Sequence, residues 1–208
     1  MAKSLNDLPP RAALIEIARD FHARGWMAGT AGNVSARADA EHFWITASGL
    51  PKGRLEETDF LLVRVADGAI VERGRAGQSP SAETAIHAAL YRLFADAQAC
   101  LHGHSVAACL AVRQTKKGAK GLRLPPLEMV KGFDVWEGKP KTDLPLFENH
   151  LDVARIARAV RSRFTRARPK VSAMLVRDHG PTVWGGSLQQ AYDRFEVLDF
   201  LLNYLARR

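Results

Sequence analysis

The sequence predicts an α/β sandwich on a mixed, largely antiparallel sheet, not a doubly wound parallel one. Three observations lead there. Apolar residues recur at helical spacing near both ends of the chain and in its middle. Between these runs lie about seven short stretches rich in β-branched and aromatic residues. Several of those stretches are joined by turns such as Asp67-Gly68, too short to hold a crossover helix.

Residues 10–24 form the first helix, with Ala13, Ile15, Ile17, Ala18 and Phe21 on its apolar face and Gly25 to end it. WMAGTAGNVSAR follows, holding Gly29, Gly32, Asn33 and Ser35. Next, HFWITASGLPKGRL reads as a strand over 43–46 that runs into the turn Ala47-Ser48-Gly49, with Lys52 close behind. Turns of Gly, Ser, Thr and Asn present successive backbone N–H groups, and such concavities hold anions. Each turn taken alone is equally a tight connection between strands. A strand over 57–65 then turns at Asp67-Gly68 into 69–72.

The stretch 79–105, SPSAETAIHAALYRLFADAQACLHGHS, organises the chain. Ser79 and Ser81 can cap a helix, Pro80 suits its entry, and Glu83 falls in its first turn. Ala85, Ala88, Ala89 and Phe94 keep helical spacing, widened by Ile86, Leu90, Leu93 and Ala97. Residues 98–105 then alternate like a strand, placing Cys100, His102 and His104 on one face. Two histidines so spaced stand roughly 7 Å apart along the backbone, and their imidazoles can converge on one tetrahedral or five-coordinate cation. Seven histidines in 208 residues give roughly 0.2 such pairs by chance, so the pair alone also fits two packed strand histidines.

A helix over 106–112 leads to the basic stretch 113–123, which reads as a solvated loop. In LRLPPLEMVKGF, Glu128 and Lys131 stand in an apolar setting, where a buried carboxylate requires a partner, a metal or a proton. A short strand spans 143–147 and an arginine-faced helix 151–164. Strands at 171–176 and 182–184 flank Arg177-Asp178-His179-Gly180-Pro181, and a long helix over 188–205 closes the chain. His87, one turn after Glu83, reads as a packed helix position, and His22, His42 and His150 as surface or helix-flanking residues.

The length fits one domain over residues 1–208, and 47% hydrophobic with 25% charged residues describes an ordinary soluble globule. No apolar run approaches the roughly 20 residues that span a bilayer, and the opening MAKSLNDLPPRAAL holds no apolar signal core. Cys100 and Cys109 read as reduced thiols, so a cytoplasmic chain is expected. The formal charge of +8 raises nucleic acid as a partner. Its two basic stretches, 113–123 and 155–170, read better as a solvated loop and a helix face than as a polynucleotide groove. Such a balance also suits anionic small substrates.

Five motifs in order, GNVS at 32–35, TASG at 46–49, PSAE at 80–83, HGH at 102–104 and DHG at 178–180, resemble the class II aldolase and adducin family over nearly the whole chain. The resemblance implies a three-layer α/β/α sandwich and a zinc enzyme of phosphorylated sugars, with one Zn2+ per subunit. It implies His102, His104 and His179 as metal ligands. Asn33, Ser48, Gly49 and Ser81 are implied as the phosphate cradle. Lys52 and Lys131 are candidate substrate contacts that also read as solvated loop cations. Within the family, LEMVKG, DLPLF and HGPTVWG resemble the dehydratases of methionine salvage. That implies loss of water from 5-methylthioribulose 1-phosphate to give 2,3-diketo-5-methylthiopentyl 1-phosphate. Zinc would stabilise the enediolate, and Glu128 would act as acid/base if burial raises its pKa. Glu83 is implied as a catalytic acid near the metal, with ligation left open. Gly103 departs from the threonine more usual between the two histidines. A homotetramer with sites near subunit boundaries is implied, with neither nucleic acid nor membrane as partner. A sugar-phosphate aldolase and a pentulose-phosphate 4-epimerase share the scaffold. A non-catalytic scaffold and a basic nucleic-acid binder are the rivals of another class.

Overall fold

The computed structural model describes residues 4–138 and 140–208. Residues 1–3, part of the opening stretch read for a signal core, lie outside the described residues. Five helices, α1 (Pro10–Ala23), α2 (Thr84–Leu93), α3 (Val106–Arg113), α4 (Val153–Arg166) and α5 (Leu188–Ala206), enclose one sheet. Its strands are β1 (Asn33–Arg37), β2 (His42–Thr46), β3 (Phe60–Arg64), β4 (Ile70–Arg73), β5 (Ala99–His102), β6 (Gly121–Arg123), β7 (Asp143–Phe147), β8 (Ala173–Val176) and β9 (Gly180–Gly185). The spatial order is β4-β3-β2-β1-β5-β9-β8-β7-β6. Among the described residues only β7 and β8 pair in parallel; the other neighbours are antiparallel. No helix among the described residues is long and apolar enough to cross a membrane.

Period-two alternation sorts the strand side chains into two cores. Val34, Ala36, Ala99, Leu101, Leu144, Leu146, Leu175 and Val183 face the layer of α1, α3 and α5. Phe43, Ile45, Leu61, Val63, Cys100, Phe147, Met174 and Trp184 face α2 and α4. Each Leu or Phe fully withdrawn from water here contributes on the order of 1.5–3 kcal/mol. Pro10 opens α1 where a missing N–H costs nothing, and Gly25, at φ 77°, ends its exit turn. Ser187 caps α5 by accepting from the Gln190 N–H at 3.1 Å.

The structure has two strands beyond the seven expected. β1 occupies the GNVSAR segment read as a turn, and pairs with both β2 and β5. The basic stretch also does not stay a loop, because its last residues form β6 against β7. β3 begins at Phe60 rather than at 57, since Glu57–Asp59 coils into a 3-10 turn closed by a reciprocal Glu56–Asp59 box. β5 stops at His102, where the Gly103 and His104 amides leave the ladder for the carbonyls of Pro181 and Trp26.

Candidate active site

His102 ends β5 and stands opposite Asn33, the first residue of β1. Its Nδ1–H donates to the Pro181 carbonyl at 2.8 Å, which leaves the lone pair on Nε2. His104 lies past the strand, contrary to the expected shared strand face, yet its Nε2 comes within 3.1 Å of His102 Nε2. His179 enters from the β8–β9 turn, where Asp178 takes the left-handed φ of 50°. The three ring centroids stand 4.6 to 5.0 Å apart, and one nitrogen from each ring falls within 4.8 Å of the others. Ligands about 2.0–2.1 Å from a tetrahedral ion are roughly 3.3 Å from one another, so this donor set fits a single small cation.

Two glycines make that convergence sterically possible. A Cβ on Gly180 would stand 2.1 Å from the Gly103 carbonyl oxygen, and one on Gly103 would meet Phe195 Cζ at 2.9 Å and the Trp26 carbonyl at 3.0 Å. The turn bearing His179 therefore rests directly on the backbone between His102 and His104. Glycine stands at 103 because Phe195 occupies the space of a side chain there.

Glu83 sits at the N-cap position of α2 and is buried. Its Oε1 lies 3.0 Å from His179 Nε2 and 3.3 Å from His102 Nε2, while Oε2 accepts from the Asn33 amide. Burial alone pushes this carboxyl up, but His102, His179 and Asn33 together hold it well below the usual carboxylate range. Burial pushes the His102 imidazole down, against the pull of Glu83. Burial, with His102 and His179 adding to it, brings His104 to about 4. For His102 and His104 these shifts favour the neutral imidazole, the state that metal ligation requires. His87, fully buried, bonds Ser35 Oγ at 2.7 Å rather than the Glu83 carboxylate.

The glycine-serine turns gather at the same end of the sheet. Ser81 Oγ accepts from Asn33 Nδ2 at 3.1 Å and from the Glu83 N–H at 3.3 Å. The Ser48 N–H donates to the Ser79 carbonyl at 2.9 Å, and Ala47 bridges Pro80, so the two turns lie side by side. That bond commits the Ser48 amide, while Gly49 holds the turn open at φ 75°. Lys52 is not a solvated cation. Its residue is 2% exposed, and Nζ donates to the carbonyls of Thr30 at 2.9 Å and Leu50 at 2.8 Å. Burial pushes its pKa down to about 8.

Glu128 and Lys131 are placed elsewhere, and the expected burial of Glu128 is overturned. Glu128–Phe133 winds as a 3-10 helix, whose three-residue turn eclipses 128 with 131. Val130 and Phe133 go to the core, while Glu128 and Lys131 face solvent and bond each other at 2.6 Å. That bond lowers the Glu128 pKa rather than raising it. The sequence does not show the Asn33–Glu83 bond, because the two residues lie fifty positions apart with no shared local pattern.

A family model described as Class II Aldolase and Adducin N-terminal domain matches residues 12–205. The chain belongs to that family. This class II aldolase family member is similar to the methylthioribulose-1-phosphate dehydratase of Microcystis aeruginosa (strain NIES-843 / IAM M-2473), 47% identical with 94% of each chain covered. It is 42% identical to the protein of the same name from Leptospira biflexa serovar Patoc, over 90% of this chain and 92% of that one. Among solved structures it resembles YgbL from Escherichia coli, with a TM-score of 0.76 at 26% identity, covering 93% of this chain and 86% of the other. The L-fuculose-1-phosphate aldolase of Thermus thermophilus superposes with a TM-score of 0.71 at 25% identity, over 94% of this chain and 93% of that one.

Proposed function

We propose that this chain is a zinc-dependent hydro-lyase. It converts 5-methylthioribulose 1-phosphate to 2,3-diketo-5-methylthiopentyl 1-phosphate in the cytoplasm, as a step of methionine salvage. The observation that carries the reading is the converging triad His102, His104 and His179 beside a buried carboxylate, in a chain with near full-length relatives named for that dehydration. The three imidazoles would hold the ion, one per subunit, and zinc suits an all-imidazole set. When bound, it supplies Lewis-acid stabilisation of negative charge developing on the substrate's oxygens.

The chain's own residues do the rest. Gly49 and Ser81 receive the phosphate, with Ser48 framing the turn and Asn33, whose side-chain amide donates to Ser81 and Glu83, fixing the Ser81 hydroxyl, and Lys52 ties the Thr30 and Leu50 carbonyls of the two loops together. Glu83, ionised, faces the Nε2 atoms of His102 and His179 on the side where the ion would sit, and its other oxygen holds the Asn33 amide. A proton must leave C3 and one must reach the departing C4 hydroxyl. Glu128 is assigned that exchange. It stands on an exposed turn beside Met129 and near Phe200, both exposed apolar residues, which supports its reaching the site of an adjacent copy in a homotetramer. Lys131, its ion-pair partner, would accompany it to the substrate.

The test is a stopped assay on zinc-loaded protein offered the thiopentulose phosphate. Diketone absorbance is the expected outcome, with Glu128→Gln slowed by about 10²- to 10⁴-fold while holding its zinc. Release of a two- or three-carbon aldehyde instead would replace the dehydratase with an aldolase.

A further inference from the structure

The arginine face of α4 does not simply meet solvent. It forms one wall of a cleft of about 540 Å³, opposite β7 and the residue that precedes β6. Lys120, Arg155, Arg163 and Arg166 line it, with His150 at one end. Among the described residues none of these four cations has a carboxylate within ion-pair distance, whereas Arg158 on another face of α4 pairs with Asp152 at 3.3 Å. Among the described residues Glu148 is the only carboxylate in the lining, and it is engaged by Arg177 at 3.4 Å. The floor is apolar, made by Leu146, Phe147 and Ile156, and Arg163 lies over the Phe147 ring at 5.3 Å. A cleft of this volume with an apolar floor and converging charged groups has the form of a small-molecule site. The three arginines already hydrogen-bond neutral groups, Arg155 to His150, Arg163 to the Lys120 and Leu146 carbonyls and Arg166 to Ser162, so their positive charge is held in place without a counter-ion and favours an entering anion.

We infer that this cleft binds an elongated polyanionic small molecule of the nucleoside polyphosphate class. Length selects the class. Arg155 and Arg166 are eleven residues apart on one helical face, which places them roughly 16 Å apart along the axis. Arg163 donates to the Lys120 carbonyl at 2.6 Å, with Arg166 about one turn further on, while Arg155 bonds His150 at 2.8 Å near the start of the helix. A lone phosphate reaches only one of these groups, whereas a polyphosphate chain with an attached nucleoside reaches both and lays its flat, less polar part on the floor. Asn149, also in the lining, approaches His179 Nδ1 at 3.5 Å, so the cleft opens next to the histidine centre without sharing its ligands.

Isothermal titration calorimetry on the metal-loaded protein tests this, with ATP, ADP, pyrophosphate and inorganic phosphate in separate arms. ATP and ADP should saturate with a Kd below about 1 mM and inorganic phosphate should bind at least about tenfold more weakly. Binding should weaken as salt is raised. Arg155→Ala and Arg166→Ala, both at exposed helix positions and checked for unchanged melting, should each weaken ATP about tenfold, the loss of one charge-assisted contact. Saturating thiopentulose phosphate should leave ATP affinity unchanged. Absence of saturation at about 5 mM ATP, equal affinity for inorganic phosphate, indifference to both arginine substitutions, or competition by the thiopentulose phosphate would each overturn the inference.

Discussion

Replacing Gly180 by alanine puts the strand crossing that assembles the histidines to a direct test. The added carbon would begin 2.1 Å from the Gly103 carbonyl oxygen, 3.1 Å from its carbonyl carbon and 3.2 Å from His104 Cα. Non-bonded atoms settle at roughly 3.5 Å, so the two backbones must part by about 1.4 Å. No flexible side chain is there to yield, since all three neighbours are backbone atoms. Overpacking of this kind costs about 1–3 kcal/mol. For a chain of this size that corresponds to a fall of roughly 2 to 12 °C in Tm. The displaced segment carries His104 itself, and metal sites tolerate ligand shifts of only about 0.2 Å. Zinc affinity should therefore drop by at least about 10- to 100-fold, beyond what the melting change alone produces. The assay is thermal unfolding with and without chelator, together with competitive zinc titration. Gly138→Ala serves as control, because a Cβ there meets nothing within 4 Å. If Gly180→Ala melts like the parent and holds zinc as tightly, backbone contact at 180 does not position the ligands.

Glu128→Gln and His102→Ala, each inactive alone, should regain about a quarter of parental activity when refolded together if the glutamate serves a neighbouring copy's histidines; no recovery in verified mixed tetramers would place both residues in one subunit's site. Glu83→Gln should weaken zinc binding by about 10- to 100-fold, measured by chelator competition, because the cation loses the negative charge that stands beside the Nε2 atoms of His102 and His179. Lys52, at about 8 in the fold against an ordinary 10.5, binds fewer protons folded than unfolded between those values. Stability should consequently rise with pH across that window, and denaturant midpoints for Lys52→Met should lack that part of the slope.

The elements legible in the sequence are those whose burial is periodic. α1, α2, α4 and α5 each keep an apolar stripe, and the hairpin at Asp67-Gly68 is marked by its turn residues. β1 is not legible because only Val34 and Ala36 mark its core side, while Asn33 and Ser35 carry polar duties on the other. β6 is hidden because three residues at the end of a basic stretch show no period at all. The histidines announce themselves by spacing, but the meeting of His179 with the other two depends on contact between Gly103 and Gly180 across the sheet, which no local pattern encodes. Glu128 misleads for a similar reason. Its apolar neighbours in sequence suggest burial, and the pitch of a 3-10 turn puts it outside.

Phe195 reaches from α5 to within a methyl group's width of residue 103, and it is itself wedged between Phe21 of α1, at 4.4 Å between ring centroids, and Trp26, at 5.0 Å. The aromatic trio thus forms the anvil on which the ligand-bearing loop is shaped. A change in the interior of the terminal helix, made with no thought of chemistry, should register as altered turnover before it registers as unfolding. Thermostability and catalysis cannot be tuned independently at that spot.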